Sequence, residues 1–110
     1  MINIYICIYI GVKIVFPTIE AKETFINDFI PIAEYVRKYE LTTISYELLL
    51  SDKDKLLIYI LERYVNKKAY LEIHKKSNEF LTFREKFQNL INDGAKVDGE
   101  SYVETNIGFV

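Results

Sequence analysis

Four side chains of this 110-residue chain could carry out acid–base chemistry together: Tyr46, Glu62, Tyr64 and His74. His74 is the sole histidine. An imidazole has a reference pKa of about 6.5, so it can take or give a proton near neutrality. Glu62 and Tyr64 stand two apart at the end of an Ile-, Leu- and Tyr-rich run. If that run is a strand, the two share a face and Arg63 points the other way. A carboxylate there could orient His74 or a bound hydroxyl. A tyrosine, Tyr46 or Tyr64, could donate a hydrogen bond to a bound oxygen. Each residue also has a plainer reading. His74 could end a helical turn beside Lys75 and Lys76, facing water. Glu62 could pair with Arg63 or a nearby lysine, which is worth little at a surface.

The elements that would position these groups follow from hydrophobic periodicity. Met1 to Phe16 is almost continuously apolar and β-branched, which predicts a long first strand covered on both faces, with residues 1–10 as its first part or as an extension. Gly11 could mark a bulge or bend in it. Ile19 to Tyr39 has helical spacing, with Phe25, Phe29, Ile32, Val36 and Tyr39 on one stripe and Thr18 as the cap. Pro31 lies inside and predicts a kink or a new segment. Leu41 to Ser51 reads as a second strand, and Leu56 to Val65 as a third, central one. The polar turn between them predicts an antiparallel hairpin. Asn66 can cap a helix carrying His74, and Ser77-Asn78 can recap another from Glu79 to Ile91. Gly99 falls in a predicted loop, and Tyr102 to Phe109 reads as the final strand. The order strand, helix, strand, strand, helix pair, strand predicts an α+β, ferredoxin-like βαββαβ fold with a four-stranded antiparallel sheet. Residues 1–110 read as one domain. Helices cover one sheet face, and a second copy could cover the other, so a homodimer is expected.

Composition narrows the classes. The formal net charge is −2 with no basic cluster, against a broad nucleic-acid footprint. One Cys and one His argue against a protein-only metal site. The opening apolar run is interrupted at Lys13 and falls short of the roughly 18 residues of a membrane span. It also lacks a basic leader and a clear cleavage site. Cys7 cannot form an internal disulfide, which permits a reducing cytoplasm, and its apolar setting points to packing over reactivity. No Gly-rich phosphate loop or Ser-His-Asp order is present.

Ser45-Tyr-Glu-Leu48, Tyr59-Ile-Leu-Glu-Arg-Tyr64, and Ala69 through His74 to Ser77-Asn-Glu-Phe80 together resemble the antibiotic biosynthesis monooxygenase family of dimeric α/β-barrel proteins. Pro17, Phe25 and Pro31 also fit, and the resemblance runs from about Val12 to Phe109. It implies a homodimer with facing sheets and a pocket in each subunit between sheet and helices. It further implies a small aromatic or quinone-like ligand, with oxidation by molecular oxygen and no cofactor in several members. Glu62, Tyr64 and His74 take the family's Glu, Trp and His positions and are its implied catalytic group. Tyr46, Phe80 and Phe83 are then the ligand-binding candidates. The chain has no Trp, which argues against the haem-degrading branch. With the resemblance, His74 becomes a candidate base toward a phenolic hydroxyl. A non-catalytic dimeric module that binds a small molecule or a protein is the alternative, because one fold hosts unrelated functions.

Overall fold

The computed structural model describes residues 6–110. Strand β1 (Ile8–Val15) leads to helix α1 (Ile19–Tyr39), then the hairpin β2 (Thr43–Leu50) and β3 (Leu57–Tyr64). A short π-helical segment, Ala69–His74, precedes helix α2 (Asn78–Asn92) and strand β4 (Lys96–Val103). The strands form one sheet in the order β2-β3-β1-β4, with every neighbouring pair antiparallel. This is the ferredoxin-like α+β arrangement, with β3 and β1 central.

Alternation decides which face is dry. In β3 every even residue is buried (Ile58, Ile60, Glu62 and Tyr64), while the odd ones are half-buried. Even residues of β1 fall on the same side, because Ile14 pairs with Ile58 and Ile10 with Glu62. That face meets the helices. Thr18 caps α1 by accepting from the Ala21 N–H at 3.1 Å. The buried stripe Phe25, Phe29, Ile32 and Val36 then lies over Ile14, Phe16, Ile58 and Ile60. Phe25 is the hub, with ring centroids 5.4 Å from Phe16, 5.6 Å from Phe83 and 5.1 Å from Phe87. Full burial of each such side chain contributes about 1.5–3 kcal/mol relative to exposure.

Several sequence expectations are corrected. The first strand begins at Ile8, and the part of it expected over residues 1–5 lies outside the described residues. Gly11 marks no bulge, since β1 keeps regular register with β3 and β4. The glycine instead makes room for a neighbour: a Cβ there would sit 1.8 Å from the Tyr59 hydroxyl oxygen. The irregularity in the sheet falls between Thr43 and Ser45 of β2. Helix α1 continues through Pro31, which is exposed. Tyr39, expected on the buried stripe, is 61% exposed, with its ring against Tyr35, because the stripe ends at Val36. The final strand is Lys96–Val103, so Gly99 is in the strand and residues 104–110 are beyond it. Strand β4 is exposed along its whole length and is held by backbone pairing to β1, so side-chain patterning gives no sign of it.

Candidate functional site

The β-strand period brings Glu62 and Tyr64 to the helical face, and the Tyr64 hydroxyl donates to Glu62 Oε1 at 2.5 Å. Tyr64 is fully buried and Glu62 is 7% exposed. Burial pushes the Glu62 carboxyl above its ordinary value, against the lowering effects of the Tyr64 hydrogen bond and of nearby His74. The Tyr64 phenol is pushed far up, first by burial and then by the Glu62 charge. Tyr46 is raised in the same way, by burial first and then by Glu62 and Glu40. Both phenols therefore remain protonated donors.

His74 closes the π-helical segment, whose wide turn is sealed by the Lys75 N–H donating to the Tyr70 carbonyl at 3.1 Å. Asn66 Oδ1 caps its start, accepting from the Ala69 N–H at 2.8 Å. Single π turns recur at functional positions. His74 does not face water: it is 1% exposed. It lies among the rings of Phe80, Tyr46, Tyr64 and Tyr70, at centroid distances of 5.0, 5.1, 5.5 and 6.3 Å. Its Nδ1 lies 2.8 Å from Glu40 Oε1. Glu62, which the sequence reading put forward to orient His74, is engaged with Tyr64 instead. Nor does Glu62 pair with Arg63, whose guanidinium binds Glu104 on the other face of the sheet.

A cavity of about 160 Å³ lies between the sheet and the helices. Its walls are Ile10, Val12, Ile14 and Ile60 from the sheet and Phe25, Phe29, Phe80, Phe83 and Phe87 from the helices. Polar groups reach it from Tyr46, Glu62 and Tyr70, and the exposed Arg84 lines it from α2. Four of the six sequence-predicted site residues, Tyr46, Glu62, Phe80 and Phe83, are thus brought into one wall. Tyr64 and His74 are not part of it: Tyr64 stands behind Glu62, and His74 behind Tyr46, Tyr70 and Phe80.

Sequence reasoning missed Glu40, Tyr70 and Arg84. Tyr70 was legible only as a helical apolar position. Nothing local marks Glu40, which meets a histidine 34 positions away. Cys7 is half-buried, and its thiol is pushed up by desolvation and then by Glu104, the opposite of what a nucleophile needs. Among the described residues, no group of three His, Cys, Asp or Glu could hold a metal ion. Among them too, no helix is long and apolar enough to cross a membrane.

A ferredoxin-like sheet and helix layer enclosing an aromatic cavity with one buried acid defines the class of protein. A sequence model of the antibiotic biosynthesis monooxygenase family matches residues 9–86, and the chain belongs to that family. The match ends within α2, short of the reach to Phe109 that the motifs implied. Comparison with curated proteins finds no match. Among solved structures, a conserved protein of Bacteroides thetaiotaomicron described as a possible oxidoreductase superposes with a TM-score of 0.77 at 20% identity, covering 89% of this chain and 97% of that one. A conserved protein of Methanosarcina mazei gives 0.72 at 17% identity, covering 87% and 92%. A candidate antibiotic biosynthesis monooxygenase of Nitrosomonas europaea gives 0.71 at 17% identity, covering 97% and 95%. At these identities the likeness is one of fold.

Proposed function

We propose that this protein binds a small hydroxylated aromatic of quinol type in the cavity between sheet and helices, and oxidises it with molecular oxygen without a cofactor. The observation that carries the reading is the cavity: about 160 Å³, walled by aromatic rings, with the Glu62 carboxyl in its wall. An apolar cavity of about 150 Å³ holds benzene, so one ring fits and a fused polycycle does not fit without movement of the walls. Apolar walls with a few fixed polar groups are the usual form of a small-molecule site.

The chemistry follows from the wall. A ligand hydroxyl beside Glu62 can pass its proton to that carboxylate, and burial raises the affinity of Glu62 for a proton, which strengthens it as an acceptor. Tyr46, held protonated, can donate to the other ligand oxygen. The resulting phenolate is electron-rich and able to react with oxygen. In the overall reaction the diol gives up four electrons to the oxygen molecule. One oxygen atom becomes a new ring hydroxyl, the other leaves as water, and the diol becomes a hydroxyquinone.

Oxygen uptake with a panel of hydroquinones tests this directly. Uptake is expected for wild type, with a fall of about a hundredfold or more in Glu62→Gln. Equal rates in His74→Ala would remove His74 from the mechanism. Quinol binding without uptake by wild type favours the second reading, a non-catalytic binding module. The observation on that side is that His74 lies behind the cavity wall and not in it.

The unit we propose is a homodimer. The sheet face away from the helices carries Val15, Leu57, Tyr59 and Leu61, half-buried with no second layer over them among the described residues. A second copy placed sheet to sheet would cover these apolar groups. Sedimentation at micromolar concentration should give a dimer, and a stable monomer would sink this part of the proposal.

A further inference from the structure

Glu40 has no place in the cavity wall or in the chemistry proposed above, yet it is 4% exposed and bound to His74. It follows the last residue of α1, where its N–H donates to the Val36 carbonyl at 3.0 Å. One carboxylate oxygen, Oε1, meets His74 Nδ1 at 2.8 Å and accepts from the Thr43 hydroxyl at 3.1 Å. The end of α1, the start of β2 and the π-helical segment therefore converge on a single oxygen atom. A buried carboxylate stripped of water needs such donors, and here two side chains supply them.

The consequence lies on the imidazole. An ionised carboxylate only accepts, so Nδ1 carries a hydrogen. In a neutral ring the other nitrogen then carries a lone pair. That nitrogen, Nε2, is buried and has no hydrogen-bond partner among the described residues. Of the four rings packed on His74, three (Tyr46, Tyr70 and Phe80) are themselves cavity wall. His74 thus stands one side-chain layer behind the cavity, with its free nitrogen uncommitted.

We propose that Glu40 is a positioning residue: it fixes the His74 imidazole in the Nδ1–H tautomer and seats the ring against Tyr46, Tyr70 and Phe80, and so orients the part of the wall that holds the ligand. The inference rests on reading the cavity as the ligand site. Glu40 itself touches no ligand and acts through His74.

The test uses the fact that the chain has one histidine, so its imidazole nitrogens give one unambiguous pair of ¹⁵N resonances. In the intact protein those resonances are expected to report hydrogen on Nδ1 and none on Nε2. A proton on Nε2 in the neutral ring would overturn the proposal before any variant is made. Adding a saturating hydroquinone should move the Nε2 resonance, and a bound quinol that leaves it unmoved also overturns the proposal. Glu40→Leu should lose the tautomer preference and lower kcat for quinol oxidation about tenfold or more while KM stays within about twofold, the pattern of a lost orienting contact. Glu40→Gln should keep both the tautomer and most of the rate, because the Thr43 hydroxyl holds the amide oxygen toward His74. A Leu variant that keeps the wild-type tautomer sinks the idea. If Glu40→Leu does not fold, the wild-type tautomer and its response to quinol still decide. Absence of oxygen uptake with every quinol would count against the oxidase reading alone, since the resonances are read without turnover.

Discussion

Glu62 and Arg63 are neighbours on β3 and end in opposite worlds. Glu62 turns to the helical face, where its hydrogen-bond partner is the Tyr64 hydroxyl. Its carboxyl is pushed up by burial. Arg63 turns to the other face, where its guanidinium binds Glu104 at 2.5 Å and lies over the Tyr9 ring at 5.3 Å. There the Glu104 carboxyl is held below its ordinary value, first by the Arg63 hydrogen bond. Two acids on opposite faces of the sheet are thus shifted in opposite directions, one chiefly by desolvation and one by pairing. The first arrangement costs stability and makes the carboxyl hold a proton more tightly than it would in water. The second is a structural clip that ties the chain after β4 to β3.

The largest break in that comparison comes from removing the side chains themselves. Tyr64 is fully buried under Tyr70 and His74, so Tyr64→Ala should cost about 3–5 kcal/mol in urea-induced unfolding. Tyr64→Phe keeps the ring and removes only the donor to Glu62, and should cost about 1–3 kcal/mol. Arg63→Ala on the opposite face, which removes a part-buried ion pair with Glu104, should shift the unfolding midpoint less, and less again in about 1 M salt, where charges are screened over a few ångströms. Equal losses for Tyr64→Ala and Arg63→Ala would mean that the inner cluster is not the part of this strand on which folding depends.

What the sequence disclosed about these regions follows the range of each interaction. The parity that puts Glu62 and Tyr64 together and Arg63 apart is a property of three consecutive residues, so it was legible at once. Helix α1 was legible to both ends, Ile19 and Tyr39, because a repeating apolar stripe and the Thr18 cap are local signals, although the structure drops Tyr39 from that stripe. Strand β4 was not. The sequence reading put the last strand at Tyr102 to Phe109, of which only Tyr102 and Val103 pair with β1. An exposed edge strand is held by backbone hydrogen bonds that any residue can make, so its Lys, Asp, Gly and Glu carry no periodic mark. The site divides in the same way. Tyr46, Glu62, Phe80 and Phe83 meet in one wall because strand and helix periods direct them inward. The partner of His74 is an acid at the end of a helix 34 positions earlier, and only the completed sheet brings the two together.

The smallest effect is the most discriminating, because its sign differs between the two faces. For Glu62 the folded-state affinity for a proton lies above the ordinary carboxylate value of 4.5. The native state therefore holds this proton more tightly than the unfolded chain, and stability falls as pH rises from about that value through the raised one. Replacing Glu62 by Gln removes the fall, so the unfolding midpoint of Glu62→Gln should decline less than wild type on going from mildly acidic to neutral pH. For Glu104 the folded value lies below 4.5, so the contribution is present above the ordinary value and is lost as pH falls through the lowered one. Glu104→Gln should therefore flatten the acid side of the stability curve and leave the neutral side alone. Urea midpoints for wild type and both variants, taken from acid to neutral pH, separate the two cases. If both variants flatten the same limb, the two carboxyls share one environment and the contrast across β3 fails. If Glu62→Gln flattens the neutral limb alone, the buried acid of the cavity wall carries its charge at a cost to the fold, which is what the proposed proton transfer from a ligand requires of it.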